Sequence, residues 1–244
     1  MKKKSIRIGM LTPSSNTVLE PITSKMVANL DGVSVHFSRL KVLEISLKAF
    51  AVSQFDIEPF MDAARMLADA RVDVIVWNGT SAGWIGFEAD RQLCKAIHDE
   101  LGILATTSTL ALCDALKAIG ARKIGLVTPY LDEIQNKIIS NFEMEGVDCI
   151  SERHLRDPGN FSFSEVTSVC IEKLVHEVAQ EAPEAVVIFC TNLRGAPLVD
   201  PLENVLGLHI FDTVSVAVWK ALQLAGVDTK SVKGWGRLFE QELS

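Results

Sequence analysis

Short apolar runs alternate with amphipathic stretches along most of the chain. The runs IRIGML (6–11), VDVIVW (72–77), ILATT (103–107), KIGLVT (123–128), AVVIFC (185–190) and LHIFD (208–212) are nearly continuous in apolar and β-branched residues, the mark of strands covered on both faces. Between them, PFMDAARMLADA (59–70) and IEKLVHEVAQEA (171–182) space their apolar residues three and four apart, as helices with one buried face do. Strand alternating with helix predicts a parallel sheet with helices packed on it. His36 and Cys149 fall in further strand-like runs, and Cys94, Cys113, Cys170, His98 and His176 on helical patterns.

The pattern then repeats. RIGMLTPSSN (7–16) recurs as KIGLVTPYLD (123–132), VDVIVWNGTSAG (72–83) as EAVVIFCTNLRG (184–195), and LGILATTSTLALCDALKAIG (101–120) as LGLHIFDTVSVAVWKALQLAG (206–226). Paired segments in one order and at similar spacing mark two homologous halves. The expected fold class is therefore α/β, with two pseudo-symmetric, doubly wound, flavodoxin-like lobes of parallel sheet and a site between them. The first lobe covers 1–118 and the second 119–226, with the tail 227–244 packing back on the first.

In open α/β sheets a ligand sits beyond the carboxyl ends of the strands, where loops lead into helix N-termini with unpaired N–H groups. The loops in that position are TPSSNT (12–17), NGTSAG (78–83), TPYLDE (128–133) and CTNLRG (190–195). Facing lobes bring them to one cleft lined by Ser14, Asn16, Gly79, Thr80, Ser81, Tyr130, Cys190, Thr191 and Asn192. Hydroxyls, amides and a single thiol suit an anion with several oxygens, such as a carboxylate. Each Ser, Thr or Asn taken alone is also a natural helix cap, so the convergence of four loops carries the reading. Gly79 stands in the first half where Cys190 stands in the second.

The net charge of −7 over 244 residues argues against a nucleic-acid partner and leaves room for a small anion in a local pocket. No apolar stretch approaches the ~20 residues that cross a bilayer, and the N-terminus lacks a signal-peptide core. The expected location is the cytoplasm, with no membrane partner; a homo-oligomer stays open. The five cysteines are odd in number and form no CxxC pair, so neither a disulfide framework nor a zinc site is indicated. Cys94, Cys113, Cys149 and Cys170 read as small apolar residues. His209 reads as a core histidine and Asp212 and Thr213 as caps of the last long helix. The turn-rich RDPGNFSFSEV (156–166) reads as a lid or as an ordinary loop before a helix.

The strings TPSSN, NGTS, TPYLDEIQ, CTNLRG and GWGRL resemble the aspartate/glutamate racemase superfamily, in the branch of maleate cis-trans isomerases and arylmalonate decarboxylases. The resemblance spans essentially the whole chain. It implies a twin-lobed enzyme with its site between the lobes, acting on a small carboxylate or dicarboxylate with neither metal nor organic cofactor. Racemases and isomerases of this kind carry a cysteine in each symmetric loop. The decarboxylases have Gly-Thr-Ser in the first and one cysteine in the second, which matches Gly79-Thr80-Ser81 and Cys190. Their carboxylate-stabilising hole corresponds to Thr80, Ser81 and Tyr130. On that pattern Cys190 protonates an enediolate left by decarboxylation of a malonate-type diacid, and Gly79 leaves room for the departing carboxylate. The polar TPSSNT and CTNLRG resemble the isomerases instead, where Asn16 matches a carboxylate-binding asparagine; this keeps open a maleate-type isomerase or racemase-like enzyme with Cys190 as nucleophile. Arg194 is read as a carboxylate contact or a salt-bridge partner. A non-catalytic carboxylate-binding protein is the remaining alternative.

Overall fold

The computed structural model describes residues 5–240. Strands β1 (Ile6–Pro13), β2 (Val33–Leu40), β3 (Val74–Trp77) and β4 (Leu104–Thr107) form one sheet in the order β2-β1-β3-β4. Strands β5 (Lys123–Thr128), β6 (Asp148–His154), β7 (Ala185–Ile188) and β8 (His209–Asp212) form a second in the order β6-β5-β7-β8. Every pairing is parallel. The helices are α1 (Leu19–Val27), α2 (Ala49–Val52), α3 (Ile57–Asp69), α4 (Ala82–Ile85), α5 (Phe87–Leu101), α6 (Ser108–Ala118), α7 (Asp132–Met144), α8 (Ser168–Ala179), α9 (Val199–Leu206) and α10 (Thr213–Leu224).

Each apolar run of the sequence forms a strand. The run AVVIFC overshoots, because β7 stops at Ile188 and Phe189-Cys190 already belong to the following loop. The strands β2 and β6, each at one edge of its sheet, are mostly half-buried and mix polar with apolar residues. Helices α3 and α8 stop short of their predicted ends, where Arg71 and Ala182 take left-handed φ of 54° and 51° that no α-helix passes through. Glycine in the shared RIG/KIG pattern has a packing cause. A Cβ on Gly9 would lie 3.0 Å from Leu67 of α3, and one on Gly125 3.1 Å from Val178 of α8, so the missing side chain lets each helix lie close on its central strand.

The backbone ladders fix how the halves correspond. Asp73 N–H donates to the Arg7 carbonyl and Glu184 N–H to Lys123, while Asn78 N–H donates to Leu11 and Phe189 N–H to Val127. Asp73 therefore corresponds to Glu184, Trp77 to Ile188 and Gly79 to Cys190. The strings VDVIVWNGTSAG and EAVVIFCTNLRG, laid end to end, are one residue out of step; the ladders restore the Gly79–Cys190 match.

Strand order reverses between β1 and β3 and again between β5 and β7, so the loops after these four strands open at the two switch points of the winding. The halves share their main core. Ile8, Met10, Val74 and Val76 of the first sheet belong to the same buried cluster as Leu126, Val186 and Trp219, and α10 packs on α6 and against β3 and β4. From Val227 to Glu240 the tail folds mainly on the second half: Arg237 N–H donates to Glu203 Oε2 and Thr229 Oγ1 to the Phe239 carbonyl. Its Trp235 ring reaches the first half, 5.9 Å from Lys25 Nζ. Residues 241–244 of the proposed tail lie outside the described residues.

Candidate active site

The four loops meet at a cavity of about 30 Å³ lined by Pro13, Asn16, Val42, Ile45, Phe55, Trp77, Gly79, Thr80, Ser81, Trp84, Tyr130, Asn160, Cys190, Thr191 and Asn192. None of these side chains is charged. The lining mixes polar groups with the apolar side chains of Val42, Ile45, Phe55 and Trp84.

Cys190 is buried. Burial pushes its thiol up to about 11; a hydrogen bond from Tyr130 and the amides of Asn192 and Leu193 pull it partway back, and the negative charge of Asp212 adds to the rise. The group is a protonated thiol at neutral pH. Cys94, Cys113 and Cys149 stand higher still, at about 12, each raised mainly by burial, and none lines the cavity. Tyr130 spans the halves: its Oη is 2.8 Å from Thr80 Oγ1, it hydrogen-bonds to the Cys190 thiol, and its ring packs edge-on against Trp84 at 5.3 Å and Phe163 at 5.6 Å. Burial raises the Tyr130 phenol well above its ordinary value, so it too stays protonated.

Gly79 differs from its expected role. Its φ does not lie in the left-handed region, so no turn demands glycine there. A Cβ would lie 2.2 Å from Cζ2 of Trp77, and the indole fills the room expected for a departing carboxylate. Trp77 Nε1 donates to Ser81 Oγ at 3.2 Å.

Two asparagines tie the site together. Asn16 Oδ1 accepts from the Val18 and Leu19 amides, capping α1, and its Nδ2 donates to Thr191 Oγ1 at 3.1 Å. An amide nitrogen carries two hydrogens, and that contact uses one. Asn192 Oδ1 accepts from Thr17 N–H, and its Nδ2 donates to the Asn160 carbonyl.

Eight of the nine residues placed in the cleft from sequence line the cavity; Ser14 does not. Its hydroxyl accepts from Val42 N–H, so it shapes the segment that carries Val42 and Ile45. Arg194 is exposed and donates from Nε to the Ser164 carbonyl, anchoring the 156–166 segment and leaving the cavity to uncharged groups. That segment forms a short 3-10 turn at Ser162–Glu165, with Phe163 buried against Tyr130 and Asn160 in the cavity wall. His209 is half-buried, stacks on Phe211 and lies away from the cavity. Asp212 caps α10 through Oδ1 to the Val214 and Ser215 amides; Thr213 is the first helical residue and makes no cap bond. Sequence reasoning missed Val42, Ile45, Phe55 and Asn160. The available signals were the long connection between β2 and α3, which leaves a sheet's carboxyl edge, and the turn-rich segment that carries Asn160.

A cleft between two repeated parallel sheets, with a thiol among hydroxyls and amides, fits the decarboxylase and isomerase branch of the aspartate/glutamate racemase superfamily. The sequence profile of the arylmalonate decarboxylase family matches residues 8–239. The chain belongs to that family and is an enzyme. It is similar to an arylmalonate decarboxylase from Bordetella bronchiseptica, 26% identical over 188 residues, which are 76% of this chain and 78% of that protein. It is similar as well to a maleate isomerase from Geobacillus stearothermophilus, 24% identical over 239 residues, 93% of this chain and 94% of that one. Among solved structures, a serine-substituted Nocardia farcinica maleate cis-trans isomerase with a covalently bound succinylcysteine intermediate superposes with a TM-score of 0.89 at 23% identity, covering 98% of this chain and 99% of that one. Arylmalonate decarboxylase superposes at 0.78 with 23% identity, covering 97% and 100%. Among the described residues, no helix is long and apolar enough to cross a membrane.

Proposed function

We propose that the protein is a cofactor-independent decarboxylase of a malonate-type diacid. The observation that carries this is the lone protonated thiol of Cys190 opposite Gly79. One carboxylate of the substrate is held by the hydroxyls of Thr80, Ser81 and Tyr130. The other faces the apolar side chains of Val42, Ile45, Phe55 and Trp84, where a charged group is disfavoured and neutral carbon dioxide is not. The bond between the α-carbon and that carboxylate breaks, its electron pair passes into the retained carboxylate as an enediolate, and carbon dioxide leaves. The hydroxyl donors stabilise the charge that develops on the two retained oxygens. Cys190 then gives its proton to the α-carbon, and the thiolate, a strong base with a pKa of about 11, recovers a proton from solvent.

Isomerisation of a maleate-type diacid is the second reading. The amides of Asn16 and Asn160 in the cavity favour it, since they offer a second carboxylate its own contacts. In the Nocardia relative a cysteine becomes succinylated although a serine has replaced another. Chemistry of that kind needs a thiolate, and here the single cavity thiol is held protonated.

The pH dependence separates the readings. With a substituted malonate, kcat is expected to be flat through neutral pH and to fall as pH rises toward the thiol's value of about 11, where the donor is lost. Cys190→Ala is expected to abolish turnover while leaving the melting temperature within a few degrees. A rate that climbs with pH, with maleate turned over and malonates untouched, overturns the decarboxylase reading in favour of the isomerase.

A further inference from the structure

The cavity is built from a repeat, yet only one half presents a thiol, and Trp77 stands at the point of difference. Across the repeat Trp77 corresponds to Ile188 and Gly79 to Cys190, by the ladder contacts that equate Asn78 with Phe189. Beside Cys190 the shorter Ile188 leaves the thiol its seat. Beside Gly79 the indole takes that seat: a Cβ there would lie 2.2, 2.5 and 2.7 Å from Cζ2, Cε2 and Cη2 of Trp77, closer than any side chain approaches a ring. The ring is held on two sides, by Phe60 edge-on at 4.8 Å and by the Nε1 bond to Ser81 Oγ at 3.2 Å, and it is 1% exposed. Swinging it aside disrupts both contacts.

The edge of the indole that blocks position 79 also bears the N–H. Because Ser81 Oγ accepts from Trp77, its own hydrogen remains for another acceptor, and Ser81 lines the cavity. We propose that Trp77 makes this site one-sided: its ring excludes any acid-base side chain at position 79, and its N–H positions the Ser81 hydroxyl to donate to the retained carboxylate. The substrate then meets a wall on one face and the Cys190 thiol on the other, so the proton arrives from one face and the product is a single enantiomer. The exclusion rests on packing alone. The positioning role rests on the decarboxylase reading above.

Substitutions at Trp77, Gly79, Ser81 and Cys190 test both parts. Gly79→Cys alone is expected to lower the melting temperature by several degrees. In the Trp77→Ile background, which copies the Ile188–Cys190 pair, the same change is expected to cost little. A Gly79→Cys chain that fails to fold while the double variant folds supports the exclusion equally, and a Gly79→Cys chain as stable as the parent overturns it. In deuterated water the double variant is expected to exchange the α-proton of a single-enantiomer product and to lose that ability when Cys190→Ala is added; exchange by Gly79→Cys alone also overturns the exclusion. For positioning, Trp77→Phe keeps a ring and removes the N–H. It is expected to lower kcat on a substituted malonate about tenfold, on the scale of one weakened oxyanion contact, with KM within twofold, and to have no further effect when Ser81→Ala is present. Independent, multiplying losses for the two substitutions overturn the positioning role. If the parent decarboxylates no malonate, the decarboxylase reading fails, and the melting temperatures still decide the exclusion.

Discussion

Tyr130 touches both halves of the site, and its loss has two separable consequences. Its hydroxyl is 2.8 Å from Thr80 Oγ1 and hydrogen-bonds to the Cys190 thiol. Tyr130→Phe keeps the ring contacts with Trp84 and Phe163 and removes only the oxygen. Decarboxylation is expected to fall roughly ten- to a thousandfold, the range for a single oxyanion donor. The thiol also loses a group that favours its ionised form, so alkylation of Cys190 by iodoacetamide should need a higher pH in the variant than in the parent. A rate within twofold of the parent, with an unmoved alkylation profile, would reduce Tyr130 to a packing residue. Tyr130 was legible because its place after β5 mirrors that of Ser14 after β1. Ser14 itself was misjudged: a serine at a strand end serves a ligand or a neighbouring loop equally well, and only the fold shows that it accepts from Val42.

At the scale of elements, the cap of α10 links stability to pH. Asp212 is buried, caps through Oδ1, and has no partner for Oδ2; burial raises its carboxyl to about 7. In the unfolded chain it titrates near 3.9. Below about pH 4 both states hold the proton and the neutral carboxyl's advantage is fully present. Between about 4 and 7 the unfolded chain releases a proton that the folded one keeps, so stability falls as pH rises through that window. Asp212→Asn keeps the capping oxygen and cannot ionise. Denaturant unfolding at pH 5 and pH 8 should show the variant gaining on the parent at the higher pH, and an unchanged difference would mean that the buried carboxyl finds its own compensation. The strands that sequence revealed read as near-continuous apolar runs, the central β1, β3, β5 and β7 and the outer β4 and β8 alike. The strands β2 and β6 read weakly because half-burial mixes polar with apolar residues. The apolar lining at Val42, Ile45 and Phe55 was not legible. Its residues lie in a connection with no period, and they converge only once the chain has turned across the mouth of the sheet.

As a whole molecule, the protein has two repeats and a main core that spans them, with a smaller apolar cluster under α3 and α5 confined to the first half. The expected division at residue 118 separates a pattern, while the buried cluster runs from Ile8 and Val76 through Leu126 to Trp219, and α10 of the second half packs against β3 and β4 of the first. Unfolding is therefore expected as a single cooperative transition with coincident tryptophan fluorescence and circular dichroism curves, and a fragment ending at residue 118 should not fold by itself. Two resolved transitions would mean that the halves carry separate stabilities. The shared core also borders the cleft, which stays partly open to solvent. The cleft is narrow, with about 30 Å³ of room, enough for a few water molecules. If admission of substrate needs the walls to part, the apparent Kd is the intrinsic one divided by the fraction of time they stand apart. A substitution that loosens the Phe55–Trp84 contact, 5.9 Å between ring centroids, is then expected to shift apparent affinity through that fraction as well as through the wall itself. Selection on the walls can in this way tune affinity while leaving the chemistry of Cys190 alone.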